Sequence, residues 1–488
     1  AVKNGTLSEA VLDRAVERIL NVIFDFADHR RDAQWDKEAD HKLAQKIEEE
    51  SAVLLKNDGI LPLCPEKKAA LIGLFAEKPR YQGGGSSHIN SYKVTSAVEA
   101  AKEFANVVYA KGYDVKEDKI EESLVKEAVE AAAASDYAVI FAGLPDSFES
   151  EGYDRSHMRM PDCQNHLIEE VLKVQPNTVI VLHNGSPVEM PWADKVKGIL
   201  EVYLGGQAVG AAAINLLYGK ANPCGKLAET IPLHLEDNPS YLNFPGDGKK
   251  VHYQEGLYVG YRYYDKKKMP VRYPFGYGLS YTTFEYKDLK LDKETMKDTD
   301  TLTVTLTVKN TGDRAGKEIV ELYVSSPDQV MRPVRELKNF VKVFLQPGEE
   351  KEVTMMLNKR SFAGYSERLH DWYVPSGSYK IQIGRSSRDM VLEKTVEVES
   401  TTVMPMEIDA NTTVGDLMRN PKTADFIRSA MEKIQEVLGG GEQKEESDAA
   451  KEAVSDEMNQ AMMDSMPLRS LRSFNGLTNE ALEEMIRQ

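Results

Sequence analysis

The chain has 488 residues, of which 41% are hydrophobic and 28% charged, and its formal net charge is -17. That length exceeds what one hydrophobic core organises and implies about two to four domains. An acidic balance with no Lys/Arg stripe excludes nucleic acid as a partner, because phosphate neutralisation needs clustered cations, and no run reaches the roughly 18 apolar residues of a membrane span.

Apolar residues at Leu7, Val11, Ala15, Ile19 and Ile23 predict a helix over residues 7–26, with Thr6 and Glu9 as its capping box. The apolar face of that helix needs a partner. A second helix is predicted over "HKLAQKIEEESAVLLKN", ending in the Asn57-Asp58-Gly59 turn. From there to about residue 230, continuous apolar runs ("AALIGLF", "NVVYA", "YAVIFAG", "NTVIVLHN", "GILEVYL") alternate with amphipathic stretches such as "ESLVKEAVEAAAAS" and "CQNHLIEEVLKVQ". Strands apolar on both faces, separated by helices, imply an α/β sandwich domain over 36–230 with a mostly parallel sheet covered by helices on both faces.

Residues 231–283 form an aromatic-rich connecting segment ("HYQEGLYVGYRYYD", "YPFGYGLSYTTF"). Beyond it the period becomes two: Leu302, Val304, Leu306 and Val308 alternate with polar residues, and further strands are predicted at "EIVELYVSS", "FVKVFL", "EVTMML" and "SYKIQIG". Residues 284–400 therefore read as a small antiparallel β-sandwich of the immunoglobulin or fibronectin kind. The last stretch, 401–488, reads as a helical, acidic tail: a helix at "TADFIRSAMEKIQEVL", a flexible linker at "GGGEQKEESDAAKE", and a helix whose Met458, Met462 and Met466 form a packing stripe.

Cys64, Cys163 and Cys224 are odd in number and have no CxxC spacing, so neither a disulfide framework nor a zinc site is indicated. Three unpaired thiols fit a reducing, cytoplasmic setting. There is no HExxH, no GxSxG and no GxxxxGK[ST], so no metal, serine-nucleophile or nucleotide chemistry is marked, and no cofactor is expected. His183 reads as a hydrogen-bonded structural residue.

Two loops stand out. "SFESEGYDRS" follows the strand "YAVIFAG" and brings Glu149, Glu151, Tyr153, Asp154 and Arg155 to the rim of the sheet, where open α/β folds bind ligands. A carboxyl beside aromatic and apolar surface would have a raised pKa, suited to a general acid. The same residues also read as a solvated loop closed by an Asp154–Arg155 ion pair. "RYQGGGSSHIN", Arg80 to Asn90, follows another strand of the sheet, and its glycines and serines suit close approach to hydroxyl groups.

The runs "ESAVLLKNDGILPL", "YQGGGSSHIN", "ESEGYDR", "GYRYYD", "YPFGYGLSYTTF", "ELKNFVKVFLQPGE" and "WYVPSGSYKIQIG", in this order, resemble glycoside hydrolase family 3, the β-glucosidase family, over about residues 1–398. The resemblance implies an α/β sandwich followed by a fibronectin type III-like domain, with an active site shared with an N-terminal (β/α)8 barrel. It implies a retaining, exo-acting β-glycosidase in which a barrel Asp is the nucleophile and a sandwich-domain Glu the general acid/base. Carried onto this sequence, the acid/base is Glu151, with Glu149 the less favoured candidate. Arg80, Ser86, Ser87 and Tyr153 are implied to bind substrate, and Asp154 and Arg155 to anchor the loop.

Residues 1–35 are similar to the segment that closes the family's barrel and links it to the sandwich. A nucleophile is therefore expected from a barrel outside this sequence, in cis or in trans, and no nucleophile is assigned within it. The implied substrate is a β-linked glucoside or related oligosaccharide. The alternative is a non-catalytic carbohydrate-binding or assembly module.

Overall fold

The amphipathic run at the start of the chain forms helix α1, Glu9–Asp28, in the computed structural model, which describes residues 1–327, 331–404, 407–420, 422–425, 427–429 and 456–471. The expected capping box does not form: Ser8 is the N-cap and makes no side-chain cap, because the Thr6 hydroxyl turns back to Asn4 and Ala1. No residue of α1 is buried. Its apolar stripe is open, with Ile19, Val22 and Phe26 63%, 70% and 69% exposed.

The chain divides into two compact units, Ala1–Thr401 and Thr402–Gln488. In the first, helix α2 (Lys37–Ser51) stops earlier than its periodicity implies, and the apolar continuation is strand β1, Val53–Asn57. Pairing decides this: β1 joins the sheet antiparallel to β6 (Gly198–Glu201), with Val53 opposite Glu201, while Leu54 bridges Leu279 on its other side. The remaining strands are β2 (Ala69–Ile72), β3 (Val107–Ala110), β4 (Tyr137–Gly143) and β5 (Thr178–His183). The helices between and beyond them are α3 (Leu74–Glu77), α4 (Ala97–Ala101), α5 (Glu122–Ala133), α6 (Asp162–Leu172) and α7 (Val209–Leu217).

Strand order is β1-β6-β5-β4-β2-β3, parallel except for β1. Strands β4 and β5 are buried almost throughout, as their apolar runs require when helices cover both faces. The chain steps from β2 outward to β3, returns across β2 to β4, and continues through β5 to β6. Right-handed crossovers then place α4 on one face of the sheet and α5 and α6 on the other; α4 packs with α7, α7 with α2, and α5 with α6. The direction of winding reverses between β2 and β4. The carboxyl ends of those two strands are the topological switch point, where such sheets leave a crevice.

The connecting segment carries helix α8 (Tyr261–Lys266), is closed on itself by Ile231–Tyr273 pairing, and clips onto the sheet domain through the Gly276 amide on Leu227 O, 2.8 Å, and the Leu279 amide on Leu54 O, 2.9 Å. The β-sandwich that follows has two sheets. One contains β8 (Thr295–Lys297), β10 (Gly316–Ser325), β11 (Glu336–Leu345), β15 (Gly377–Ser386) and β16 (Asp389–Glu399); the other contains β7 (Phe284–Leu291), β9 (Leu302–Asn310) and β12 (Glu350–Leu357). A small hairpin pairs β13 (Gly364–Ser366) with β14 (Asp371–Tyr373). The alternation read from β9 points Leu302, Val304, Leu306 and Val308 into a core shared with Leu322, Tyr379 and Ile381. Polar links tie the sandwich to α2: Lys317 and Lys342 both reach Glu50.

In the second unit, helices Val414–Arg419 and Asp456–Asp464 pack together, with a small core of Val414, Leu417, Ile427 and Leu468. Met466 packs against it, whereas Met458 and Met462 are exposed, so the methionine stripe is only partly a packing surface. Most of the helix predicted over 423–438, and all of the linker over 439–452, lie outside the described residues.

Candidate active site

The loops after β2 and β4 meet over the switch point. Arg80 leaves the first loop inward and is 7% exposed. Its Nη1 donates to Leu144 O and to Glu149 Oε2, each at 2.7 Å, its Nη2 to Glu149 O at 2.9 Å, and its Nε to Asp146 at 3.2 Å. All three guanidinium nitrogens are engaged inside the protein. The expectation that Arg80 reaches a substrate is therefore not met in this arrangement; it binds one loop to the other.

Glu149 is the centre of that clasp. Besides Arg80, its Oε2 accepts from the Gly185 amide at 2.8 Å and its Oε1 from the Ser186 hydroxyl. Burial pushes the Glu149 carboxyl up, but the bonds from Ser186, Arg80 and Gly185 together outweigh it and hold the group below its ordinary value. Ser186 in turn accepts from Arg155 Nη1 at 2.8 Å, and Arg155 also donates to Pro187 O at 2.9 Å. The expected Asp154–Arg155 ion pair is absent. Arg155 faces the polar loop after β5, whose oxygens take up its Nη1, while Asp154 is exposed.

Glu151 differs from Glu149 in exposure and in the number of its partners. It is exposed at the loop tip, and one oxygen accepts from the Ser86 amide at 2.6 Å. The Glu151 amide donates to Gly84 O at 3.4 Å. This contact needs glycine on the facing loop. Gly85 has φ +92°, and a Cβ there would lie 2.4 Å from the Glu151 Cβ. Hydrogen bonding from Ser86 outweighs desolvation and holds the Glu151 carboxyl below its ordinary value, the reverse of the raised pKa expected of a general acid.

Ser86 and Ser87 are exposed beside it, in a loop closed by Gln82, whose side chain accepts from the Ile89 amide and donates to Ile89 O. Tyr153, half exposed, donates its hydroxyl to Asp146 O. The structure thus brings Glu151, Ser86 and Ser87 to one open rim and turns Arg80, Glu149 and Arg155 beneath it. His183 is the buried structural residue anticipated: its Nδ1 lies 3.1 Å from Arg80 O, and burial lowers its pKa to about 4.

The strand-end motif "HNGSP", which holds Gly185 and Ser186, could be read from sequence as turning polar groups toward this rim but equally as ordinary strand-end capping, whereas Glu229, which burial pushes up to about 7, gave no signal. Among the described residues no group of three His, Cys, Asp or Glu could hold a metal ion, and no helix is long and apolar enough to cross a membrane.

Comparison with known proteins bears on this geometry. Residues 52–281 match the glycosyl hydrolase family 3 C-terminal domain, and residues 318–387 a fibronectin type III-like domain. Thermostable beta-glucosidase B of Acetivibrio thermocellus is 50% identical over 495 aligned residues, covering 100% of this chain and 64% of the relative. An exo-α-(1→6)-L-arabinopyranosidase of Bifidobacterium breve is 42% identical, covering 82% of this chain and 54% of that protein. The crystal structure of Bifidobacterium adolescentis GH3 beta-glucosidase superposes with a TM-score of 0.80 at 40% identity, covering 88% of this chain and 63% of that one. The chain therefore spans less than two thirds of the length of each of these proteins. The matched domains, their order and the similarity to these relatives agree on one conclusion: the chain belongs to glycoside hydrolase family 3, through that family's C-terminal α/β and fibronectin type III-like domains.

Proposed function

We propose that this chain supplies the general acid/base, Glu151, of a retaining exo-acting β-glycosidase, whose nucleophilic Asp comes from a (β/α)8 barrel in cis or in trans. The observation that carries the reading is the contrast between the two carboxylates of the loop. Glu149 is locked by Arg80, Gly185 and Ser186, whereas Glu151 stands exposed at the switch point with Ser86 as its partner, free to exchange a proton. The names of the similar proteins support a glycoside as substrate. Ser86 and Ser87, exposed beside Glu151, would hold the terminal sugar, and Tyr153 would border the leaving group. The open stripe of α1 supports docking of a barrel there.

Retention needs two carboxyl groups about 5–5.5 Å apart, and Glu149, committed to Arg80, does not serve as the second. The chain alone should leave an aryl β-glucoside intact, and adding the N-terminal part of a β-glucosidase relative should restore turnover. Turnover by the chain alone would show that the nucleophile lies within it. In the restored enzyme, Glu151→Gln should slow an ordinary disaccharide far more than an activated aryl glucoside, since a good leaving group needs little protonation. Equal losses on both would rule out the acid role. The low proton affinity of Glu151 favours, as a second reading, a carbohydrate-binding module. Sugar binding without turnover, even with the barrel present, would select it.

A further inference from the structure

The glycine–serine loop that meets Glu151 leaves β2 and α3 and returns to α4, and both of its limbs rest on the turn that follows β6. The Gly206 amide donates to Tyr81 O at 2.9 Å on the outgoing limb, and the Thr95 amide donates to Gln207 O at 3.0 Å on the returning one. That turn is a fixed support. Tyr203 is held at φ +47°, a left-handed conformation that persists only where the surroundings enforce it, and its amide donates to buried Glu201 at 2.9 Å. Gly205 lies so close to α2 that a Cβ there would come within 2.4 Å of the Glu48 carboxyl carbon.

One side chain joins these parts. His41, on α2, is 5% exposed and both of its ring nitrogens are engaged: Nδ1 with Gln207 Nε2 and Nε2 with Thr95 Oγ1, each at 2.8 Å. Since Gln207 Nε2 can only donate, Nδ1 accepts, the ring proton lies on Nε2, and Nε2 donates to Thr95. Burial and Lys93 hold His41 below its ordinary value against Glu38 and Glu99, which keeps the ring in this neutral form. On the same face of α2, Glu38 accepts from the Tyr92 hydroxyl at 3.3 Å and lies 3.7 Å from Lys93 Nζ. Those two contacts are exposed and therefore weak, so the buried His41 link is the one that fixes the returning limb. Between the limbs Gln82 ties to Ile89, and the His88 amide donates to Gly85 O at 3.0 Å, so the tip is braced and a shift at its base is carried to Ser86.

We propose that His41 is a positioning residue for Glu151: by fastening Thr95 and Gln207 together, it sets where the Ser86 amide meets the Glu151 carboxylate. The catalytic consequence rests on the acid/base reading above, whereas the seat itself does not. Glutamate carboxyls are labelled with carbon-13 in the full chain, and Glu151→Gln identifies the signal. Because Ser86 holds Glu151 below its ordinary value, His41→Ala and the near-isosteric Thr95→Val should each raise its midpoint toward that value, and the double variant should raise it no further than one alone. His41→Gln, whose amide can still donate to Thr95, should stay with the parent. Gln175→Leu, which removes a buried hydrogen-bonding side chain at the opposite, amino end of the strands, should lower the unfolding midpoint and leave the Glu151 titration in place. In the enzyme completed with the N-terminal part of a β-glucosidase relative, His41→Ala should lower kcat on cellobiose by up to about 100-fold, the effect of a displacement of about 1 Å, and on an activated aryl glucoside much less. A Glu151 midpoint unmoved in both His41→Ala and Thr95→Val, or moved as far by Gln175→Leu, would overturn the proposal, as would equal kinetic losses in His41→Ala where Glu151→Gln discriminates between the substrates. A midpoint that moves while Glu151→Gln costs both substrates equally removes the acid role and leaves the seat standing.

Discussion

Arg80 and Glu149 lie 69 positions apart in sequence, yet they form the clasp on which the loop carrying Glu151 depends. Removing one partner of a buried pair leaves the other charged and unpaired, which costs about 3–5 kcal/mol. Glu149→Ala should therefore lower the unfolding free energy by about 3 kcal/mol in urea titration. The double variant Arg80→Met, Glu149→Leu should recover much of that loss, and a loss under about 1 kcal/mol for Glu149→Ala would show the pair is not the clasp. The pH dependence has a fixed sign. Because Glu149 is depressed in the folded state, its contribution is complete above the ordinary carboxyl value and disappears as pH falls through the folded one. Glu48 has the opposite sign. It is 5% exposed, its Oε1 has no hydrogen-bond partner among the described residues, and burial raises it to about 8. Between the ordinary value and about 8 the unfolded chain has released a proton that the folded chain retains, so stability falls as pH rises, by up to about 1.4 kcal/mol per unit. Glu48→Gln removes that slope. Its stability relative to the parent should grow steadily between about pH 5 and pH 8, and a constant difference would contradict the buried protonated carboxyl.

At the scale of elements, α1 is a helix without a core. Surface substitutions away from packed groups change stability by about 0.5 kcal/mol or less. Ile19→Glu and Phe26→Glu, on its open stripe, should therefore leave the unfolding midpoint of the chain in place while reducing self-association in sedimentation and capture of a barrel fragment. A large fall in midpoint would mean the stripe is packed. That α1 would form was legible from its period, as were α5, α6 and strands β2 to β6, since their apolar runs are continuous and sharply bounded. Strand β1 was not. Val53-Leu54-Leu55 continues the helical spacing of Leu43 and Ile47, and only pairing with β6 and Leu279 makes it extended. The candidate site was half legible for the same reason: the glycine–serine loop and the acidic loop each announce themselves, but their partnership follows from β2 and β4 being neighbours. The mistaken Asp154–Arg155 pair came from adjacency along the chain, when the true partner of Arg155 is a serine 31 positions on.

At the scale of the molecule, the loop that carries Glu151 lies at the rim of the sheet and is exposed among the described residues. A general acid near neutral pH needs a carboxyl that holds its proton, which burial supplies and exposure denies. Here hydrogen bonding from Ser86 pulls the Glu151 pKa down and outweighs the desolvation that opposes it. If Glu151 acts as proposed, the element that completes the site must do more than bring a nucleophile: it must cover Glu151 and add a second negative charge, both of which favour the protonated form. The prediction is a change in titration on assembly. A carbon-13 label on the glutamate carboxyls, with Glu151→Gln to identify the signal, should show Glu151 titrating below its ordinary value in the chain alone. On addition of a barrel fragment bearing its nucleophile, the midpoint should rise above that value. It should rise less with a fragment whose nucleophile is replaced by Asn, which restores the cover but not the charge. A midpoint unmoved by either fragment would leave Glu151 a carboxylate throughout, able to accept a hydrogen bond from a sugar but not to protonate its leaving group.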